Sequence, residues 1–322
     1  MNKIITLTVN PVVDKDTTVA GIKPNTKLRC KSPDYYAGGG GINVSRALQK
    51  LGGESLCMYL AGGPTGTLLQ QLVSNDGIEQ KVIHIEGWTR ENLSVTDTIT
   101  NLQYRFGVPG PNVKEEEWQQ VLRLLDEQLQ KGDYLVASGK IPPGIPPDFY
   151  VQVSKITDKK GAKLVLDTSG EALLPSMKAN IYMMKPNLGE LSIICGVDSI
   201  SAIELETLAN KFLEKNPSEV LVVSMGAKGA LLATKEIMEY IPAPTVHQKS
   251  TIGAGDSMVA GMVLSLMKGK SLSEMVKYGV ACGTAATIHP GTQLCRKEDA
   301  DKLYEWIIAN TVKKTKKIPK LI

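Results

Sequence analysis

Short apolar, β-branched runs separated by helical stripes recur along the chain, and this alternation constrains the fold more than any other feature. Residues 4–9, 55–60, 134–138, 163–167, 181–184 and 220–224 read as buried strands. Between them, Val44, Ala47, Leu48 and Leu51 repeat at i, i+3, i+4 and i+7, and Gly52 and Gly53 close the stripe. Trp118, Val121, Leu122, Leu125 and Leu129 repeat it and end near Gly132. Such alternation implies an α/β fold, a mainly parallel sheet covered by helices on both faces. A chain of 322 residues fits one such unit over residues 1–322.

Two segments depart from the pattern. Residues 17–36 and 90–109 carry no helical stripe; Leu102, Gln103, Tyr104, Arg105 and Phe106 alternate instead. They read as antiparallel ribbon standing off the main sheet, insertions at about 14–36 and 90–109. Ribbon from two insertions suits a lid over a site at the sheet edge. The pattern alone allows a surface hairpin with no role equally well.

Charge narrows the function classes. The chain has 37 basic and 33 acidic residues, but Lys313, Lys314, Lys316, Lys317 and Lys320 belong to the tail 312–322. Without them 32 basic residues face 33 acidic ones, so a nucleic-acid partner is not expected. No stretch reaches the roughly 18 apolar residues of a membrane span. Five cysteines form no C-x-x-C pair, and His84, His247 and His289 are scattered, so a zinc site lacks ligands. A soluble, cytoplasmic protein is expected.

Two glycine clusters carry the chemistry. Gly253, Ala254, Gly255 and Asp256 precede an apolar segment of helical length, Met258, Val259, Met262, Val263 and Leu266. Glycines there free the first N–H groups of the helix to converge on an anion. Asp256 beside such an anion is tolerable as a proton acceptor or with a bridging metal; otherwise it simply caps the helix. Competing motifs fail: a dinucleotide fingerprint needs glycine in place of Met258, and a P-loop needs it in place of Leu264. A nucleophile elbow needs it in place of Val259, and His289 shows no carboxylate to orient it. Gly38, Gly39, Gly40 and Gly41 open the helix of Val44, and Asn43 offers a donor and an acceptor to a sugar hydroxyl pair. Asn187 and Glu190 have capping-box spacing, so a structural role competes there.

Taken together, these stretches resemble the PfkB/ribokinase-like carbohydrate kinase family. The first family signature is similar to residues 38–45 and the second to 251–263, and the likeness spans nearly the whole chain. Within the family the chain resembles the minor, PfkB-type bacterial 6-phosphofructokinases, through Lys27-Leu28-Arg29-Cys30, Trp88-Thr89-Arg90 and the Gln103 to Phe106 stretch. The resemblance implies a three-layer α/β/α sandwich with a small β-sheet lid. It implies transfer of the ATP γ-phosphoryl to the 1-hydroxyl of fructose 6-phosphate. Tagatose-6-phosphate kinase and 1-phosphofructokinase share the motifs and remain alternatives.

Roles follow from the resemblance, position by position. Asp256 matches the catalytic base, and Gly253, Ala254 and Gly255 the anion hole. Asp14, Asn43 and the amides of Gly39, Gly40 and Gly41 match sugar-hydroxyl contacts. Lys27, Arg90 and Arg105 match cations near the phosphates, and Lys140 stands where relatives have a small hydroxyl residue. Lys185, Asn187, Ser224, Gly226, Gly229 and Thr251 match ATP contacts, and Glu190 acts indirectly on Mg²⁺. Ser250, Ile252, Ala286, His289 and Gly291 resemble a K⁺ loop, in which His289 and Gln293 depart from the relatives. The likeness also implies a homodimer through the lid.

Overall fold

The computed structural model describes residues 2–289, 293–311 and 316–317. Gly291 and most of the basic tail lie outside the described residues. The strands are β1 (Ile4–Thr8), β2 (Val12–Val19), β3 (Asp34–Gly38), β4 (Leu56–Ala61), β5 (Glu79–His84), β6 (Arg90–Asp97) and β7 (Gln103–Phe106). They continue as β8 (Tyr134–Ser138), β9 (Lys163–Asp167), β10 (Ile181–Met184), β11 (Ser218–Ser224), β12 (Ala230–Ala233), β13 (Ile237–Ile241) and β14 (Lys316–Lys317). The helices are α1 (Gly40–Lys50), α2 (Gly63–Asn75), α3 (Glu115–Gln128), α4 (Phe149–Lys160) and α5 (Leu188–Cys195). After them come α6 (Glu204–Lys215), α7 (Ala254–Met267), α8 (Leu272–Thr287) and α9 (Lys297–Asn310).

The main sheet has the order β14-β13-β12-β11-β10-β9-β8-β1-β4-β5. From β11 to β5 every pair is parallel, and β12, β13 and β14 add antiparallel neighbours at one edge. Alternate strand residues supply two cores. Ile5, Leu7, Leu135 and Ala137 pack with Trp118, Val121, Phe149 and Phe212 of α3, α4 and α6. Ile4, Val136 and Val165 face the other way, onto Val44, Leu48, Val259, Val263 and Val276 of α1, α7 and α8. Helix α7 is buried on every side from Met258 to Leu266, and Ser265, its one polar side chain there, bonds back to the Gly261 carbonyl.

Chain direction through the sheet makes a crevice. The chain leaves β1 towards β4 on one side, and leaves β8 towards β9 on the other. Adjacent strands whose connections diverge open a cleft at their carboxyl ends, where open α/β sheets bind ligands. Helix α1 begins directly above this cleft.

The smaller sheet has the order β3-β2-β6-β7. Its two hairpins, β2–β3 and β6–β7, are antiparallel as the alternation implies, but β2 and β6 join them as a parallel pair. The reason lies in the main sheet. Strands β1 and β5 are parallel, so the extensions β2 and β6 leave the same edge in the same direction. Cross-strand partners then sort by face. Asp14 with Asn92 and Tyr36, and Asp16 with Ser94, Asp34 and Arg105, share a polar face. The opposite face carries Val13, Ala37, Tyr35, Leu93, Tyr104 and Phe106.

Candidate active site

Two helix starts meet at the cleft. Gly39, with φ at +112°, turns the chain from β3 into α1. A Cβ on Gly41 would lie 2.6 Å from the Leu7 carbonyl oxygen, and one on Gly40 would lie 2.7 Å from the Ser138 carbonyl carbon. The glycines are therefore required by the approach of α1 to the ends of β1 and β8, quite apart from any ligand. Thr8 Oγ1 accepts from the Ile42 amide at 2.8 Å, leaving the amides of Gly40 and Gly41 without a partner in their helix.

The second start is that of α7. Gly253 caps it with φ at +72°, and Asp256 sits in the first turn. Asn43 Nδ2 donates to Asp256 Oδ2 at 2.9 Å and so ties the two helix starts together. Gly255 is exposed, with its Cα side facing Lys185 Nζ; a Cβ there would stand 3.6 Å from it. Asp256 keeps an edge towards the cleft but lies deep enough that burial, and then the nearby Asp167, push its carboxyl up to about 6. The Asn43 hydrogen bond and the Lys185 charge oppose that rise.

Lys185 is buried at the end of β10, 5% exposed, with its Nζ 3.3 Å from Asp167 Oδ1. Burial works against its charge, but Asp167, Glu190 and Asp256 together hold its pKa above the ordinary value. Burial, reinforced by Asp167, raises that of Glu190. Three carboxylates thus share one ammonium. Asp167 was not singled out in the sequence. Its signal was the one charge closing the buried run Leu164-Val165-Leu166, which reads as a strand boundary until neighbours are known.

Beside these groups lies a cavity of ≈ 510 Å³ between β11, the segment 243–251, α7 and α8. It is lined by Asn187, Ser224, Gly226, Gly229 and Thr251, and by Ala254 and Gly255 of the α7 start. Five of the six residues matched to ATP contacts therefore come together, and the sixth, Lys185, touches the cavity rim at Gly255. Val246, Met258, Val280 and Thr284 supply its apolar walls. Asn187 and Glu190 form the capping box that their spacing suggests, each bonded to the other's amide at 2.9 Å. The structural role and the place at the cavity coexist.

The polar face of the smaller sheet meets the approach to α1 at Gly38. Asp14 packs on Gly38, accepts from Asn92 Nδ2 at 3.0 Å, and has a pKa raised by burial against the pull of Arg90 and Arg105. Arg90 is held by the carbonyl oxygens of Val108 and Asn10, both at 3.3 Å, while its buried Nε has no protein partner. Arg105 is exposed opposite Ser94. Lys140 is exposed just past β8, its stem against Gly170. Lys27 is exposed in the loop between β2 and β3.

The segment matched to a K⁺ loop is described in part. The amides of Lys249 and Ser250 donate to the Thr287 carbonyl at 2.8 and 3.2 Å, bringing Ser250 and Ile252 to the end of α8 near Ala286. His289 corrects the sequence reading. Its Nε2 lies 2.8 Å from Asp299 Oδ2, so it does have a carboxylate partner, one supplied by α9. Among the described residues no serine or cysteine nucleophile is bonded to it.

Mg²⁺ fits the donor set. Asp167 and Glu190 offer hard carboxylate oxygens near the cavity, and their mutual repulsion is what a dication would relieve. Among the described residues no cluster of three or more His, Cys, Asp or Glu forms an all-protein cage. An ion that keeps its waters and leans on substrate phosphates needs none.

A helix start free to hold an anion, a carboxylate beside it and a nucleotide-sized cavity are the parts that a phosphoryl-transfer site needs. The pfkB family carbohydrate kinase model matches residues 4–299, and the chain belongs to that family. The ATP-dependent 6-phosphofructokinase isozyme 2 of Escherichia coli (strain K12) is 38% identical over 95% of this chain and 99% of its own. The 1-phosphofructokinase of Bacillus subtilis (strain 168) is 33% identical over 88% of this chain and 91% of its own. A crystal structure of phosphofructokinase-2 from Escherichia coli in complex with potassium superposes with a TM-score of 0.92, at 38% identity, covering 96% of this chain and 100% of that one. Another structure of that protein is described as its tetrameric inhibited form.

Proposed function

We propose that the chain is an ATP-dependent kinase that transfers the γ-phosphoryl of MgATP to the 1-hydroxyl of fructose 6-phosphate, giving fructose 1,6-bisphosphate. The observation that carries this is the Asn43–Asp256 bond, which ties a carboxylate next to the cavity-lining Gly255 to the start of α1, where β3 of the lid ends. The triphosphate enters along Asn187, Ser224 and Gly229, with its γ-phosphate at the amides of Gly255 and Asp256. Asp14 and Asn43 orient the sugar hydroxyls, and the amides of Gly39, Gly40 and Gly41 receive its oxygens. Arg90, with its unpartnered Nε, and Arg105 hold the phosphate that does not react; guanidinium suits it through paired hydrogen bonds. Lys140 adds charge at the same mouth.

Transfer itself needs little covalent help, since its transition state is loose. Asp256 takes the proton of the attacking hydroxyl, which becomes acidic as the bond to phosphorus forms. A carboxyl raised to about 6 is matched to that task near neutral pH. Lys185 offsets the negative charge gathered at the cavity rim. Mg²⁺, when bound near Asp167 and Glu190, supplies charge neutralisation to the phosphate oxygens. Ser250, Ile252, Ala286 and the carbonyl of His289 would hold K⁺ behind the α7 start.

A coupled assay of purified protein with fructose 6-phosphate, tagatose 6-phosphate and fructose 1-phosphate tests the reading. The highest kcat/KM is expected with fructose 6-phosphate. A preference for either other sugar would reassign the chain to tagatose-6-phosphate kinase or 1-phosphofructokinase activity.

The outer face of the lid points to a homodimer. Leu93, Tyr35, Tyr104 and Phe106 lie on one side of a sheet with open edges, and Phe106 is 56% exposed. Pairing with a second copy would cover both the apolar side chains and the strand edges. Five free thiols fit a cytoplasmic setting.

A further inference from the structure

Cys282 and Cys295 take no part in the chemistry above. Cys282 lies within α8 and Cys295 in the segment before α9, and both are fully buried. They rest on one side of α7. Cys282 Sγ packs on Gly261, where a Cβ would stand 2.6 Å from the sulfur, and the Cys295 amide donates to Ser257 Oγ at 3.3 Å. Ser257 and Gly261 are one helical turn apart, so the two cysteines sit side by side along α7. The neighbouring Cys282 thiol lowers the pKa of Cys295 against the effect of burial, with Ser257 and Lys50 adding to it. Burial, then the Cys295 sulfur, raises that of Cys282.

The pair is also linked to the catalytic loop. Leu294, the neighbour of Cys295, fills the space beside Gly253, so that any Cβ on Gly253 would strike its side chain. Gly253 is the cap that aims the first amides of α7. Moving Cys295 therefore moves the wall behind the anion site.

We propose that Cys282 and Cys295 are an oxidisable dithiol whose conversion to a disulfide pulls Leu294 away from Gly253 and slows phosphoryl transfer. Both sulfurs are buried, so the oxidant must be small, and hydrogen peroxide is the class intended. The Cys295 thiolate attacks one peroxide oxygen, the O–O bond breaks, and the hydroxide released takes up the proton, leaving a sulfenic acid. The Cys282 sulfur attacks that sulfenic sulfur, and the second oxygen leaves as water with the Cys282 proton. In sum, two thiols and one peroxide give one disulfide and two waters. A thiol reductant reverses the step by exchange. Transient disulfides of this kind are compatible with a reducing cytoplasm.

The test treats the full-length protein with hydrogen peroxide, maps peptides without reduction by mass spectrometry, and follows kcat in parallel. A Cys282–Cys295 cross-linked peptide is expected, with kcat down about tenfold or more and restored by dithiothreitol. Cys282→Ala should start near normal activity and lose both the cross-link and the reversible inhibition. Should that variant not fold, the mapping of the unmodified sequence decides alone. Exposed Cys30 reports that oxidant was sufficient. Full oxidation of Cys30 with no Cys282–Cys295 peptide would overturn the proposal, and so would a cross-link that leaves kcat unchanged. The effect on kcat rests on the kinase reading above, whereas the mapped cross-link does not, so failure of one is separable from failure of the other.

Discussion

The start of α7 and the inner face of the lid both present charge to one cleft, yet they are supported in opposite ways. Asp256 is anchored in a helix buried from Met258 to Leu266, flanked by Asn43 and backed by Lys185 and Asp167. Arg105 and its neighbours stand on a four-stranded sheet whose β7 is exposed throughout. The difference separates two tasks. Chemistry needs a carboxylate and an anion site held to a fraction of an ångström, which a packed core supplies. Recognition of a sugar phosphate needs cations that can close on it and let it go, which a peripheral sheet supplies.

Mutations should therefore divide by region. Asp256→Asn removes the proton acceptor but keeps the helix start, so kcat should fall about 10³-fold while ligand binding survives, measured by steady-state kinetics and calorimetric titration. Arg90→Ala acts on recognition: KM for the sugar phosphate should rise about 10²-fold, with a smaller change in kcat. A lid substitution that depressed kcat alone would erase the distinction.

Acidity gives a third effect, seated on the core side only. With the Asp256 carboxyl raised to about 6 by burial and Asp167, kcat/KM should fall with decreasing pH along a limb near 6. Asn43→Leu removes a hydrogen bond that favours the ionised form, and should move that limb upwards. The same shift acts on stability with the other sign. A carboxyl whose folded pKa is raised favours the native state below the ordinary carboxylate range, and that contribution is lost as pH rises through about 6. Thermal melts across this interval should show it. The smallest effect on turnover belongs to the outer lid face. Phe106→Asp should leave kcat nearly unchanged while lowering the sedimenting mass, as the proposed pairing through the lid requires.

The same contrast governs what could be read in advance. Residues 134–138, 163–167 and 181–184 were legible as strands because central parallel strands are buried on both sides and so carry continuous apolar runs. The parallel β2–β6 pair was not, since its direction is set by where β1 and β5 end and not by any local pattern. Strand β5 escaped notice because an edge strand reads as Glu-Gln-Lys before its apolar residues begin. In the site, the glycine clusters were legible through their chemistry, although Gly40 and Gly41 are also demanded by contact with β1 and β8. Asp167 and the Asp299 partner of His289 were not, because pairings across more than one element leave no spacing in the chain.

A crystal grown with a non-hydrolysable MgATP analogue and fructose 6-phosphate examines the central claim most directly. The terminal phosphate should sit on the amides of Gly255 and Asp256, with the sugar 1-hydroxyl within hydrogen-bond reach of the Asp256 carboxylate. A triphosphate seated away from the start of α7, or a sugar whose 1-hydroxyl faces away from Asp256, would contradict it.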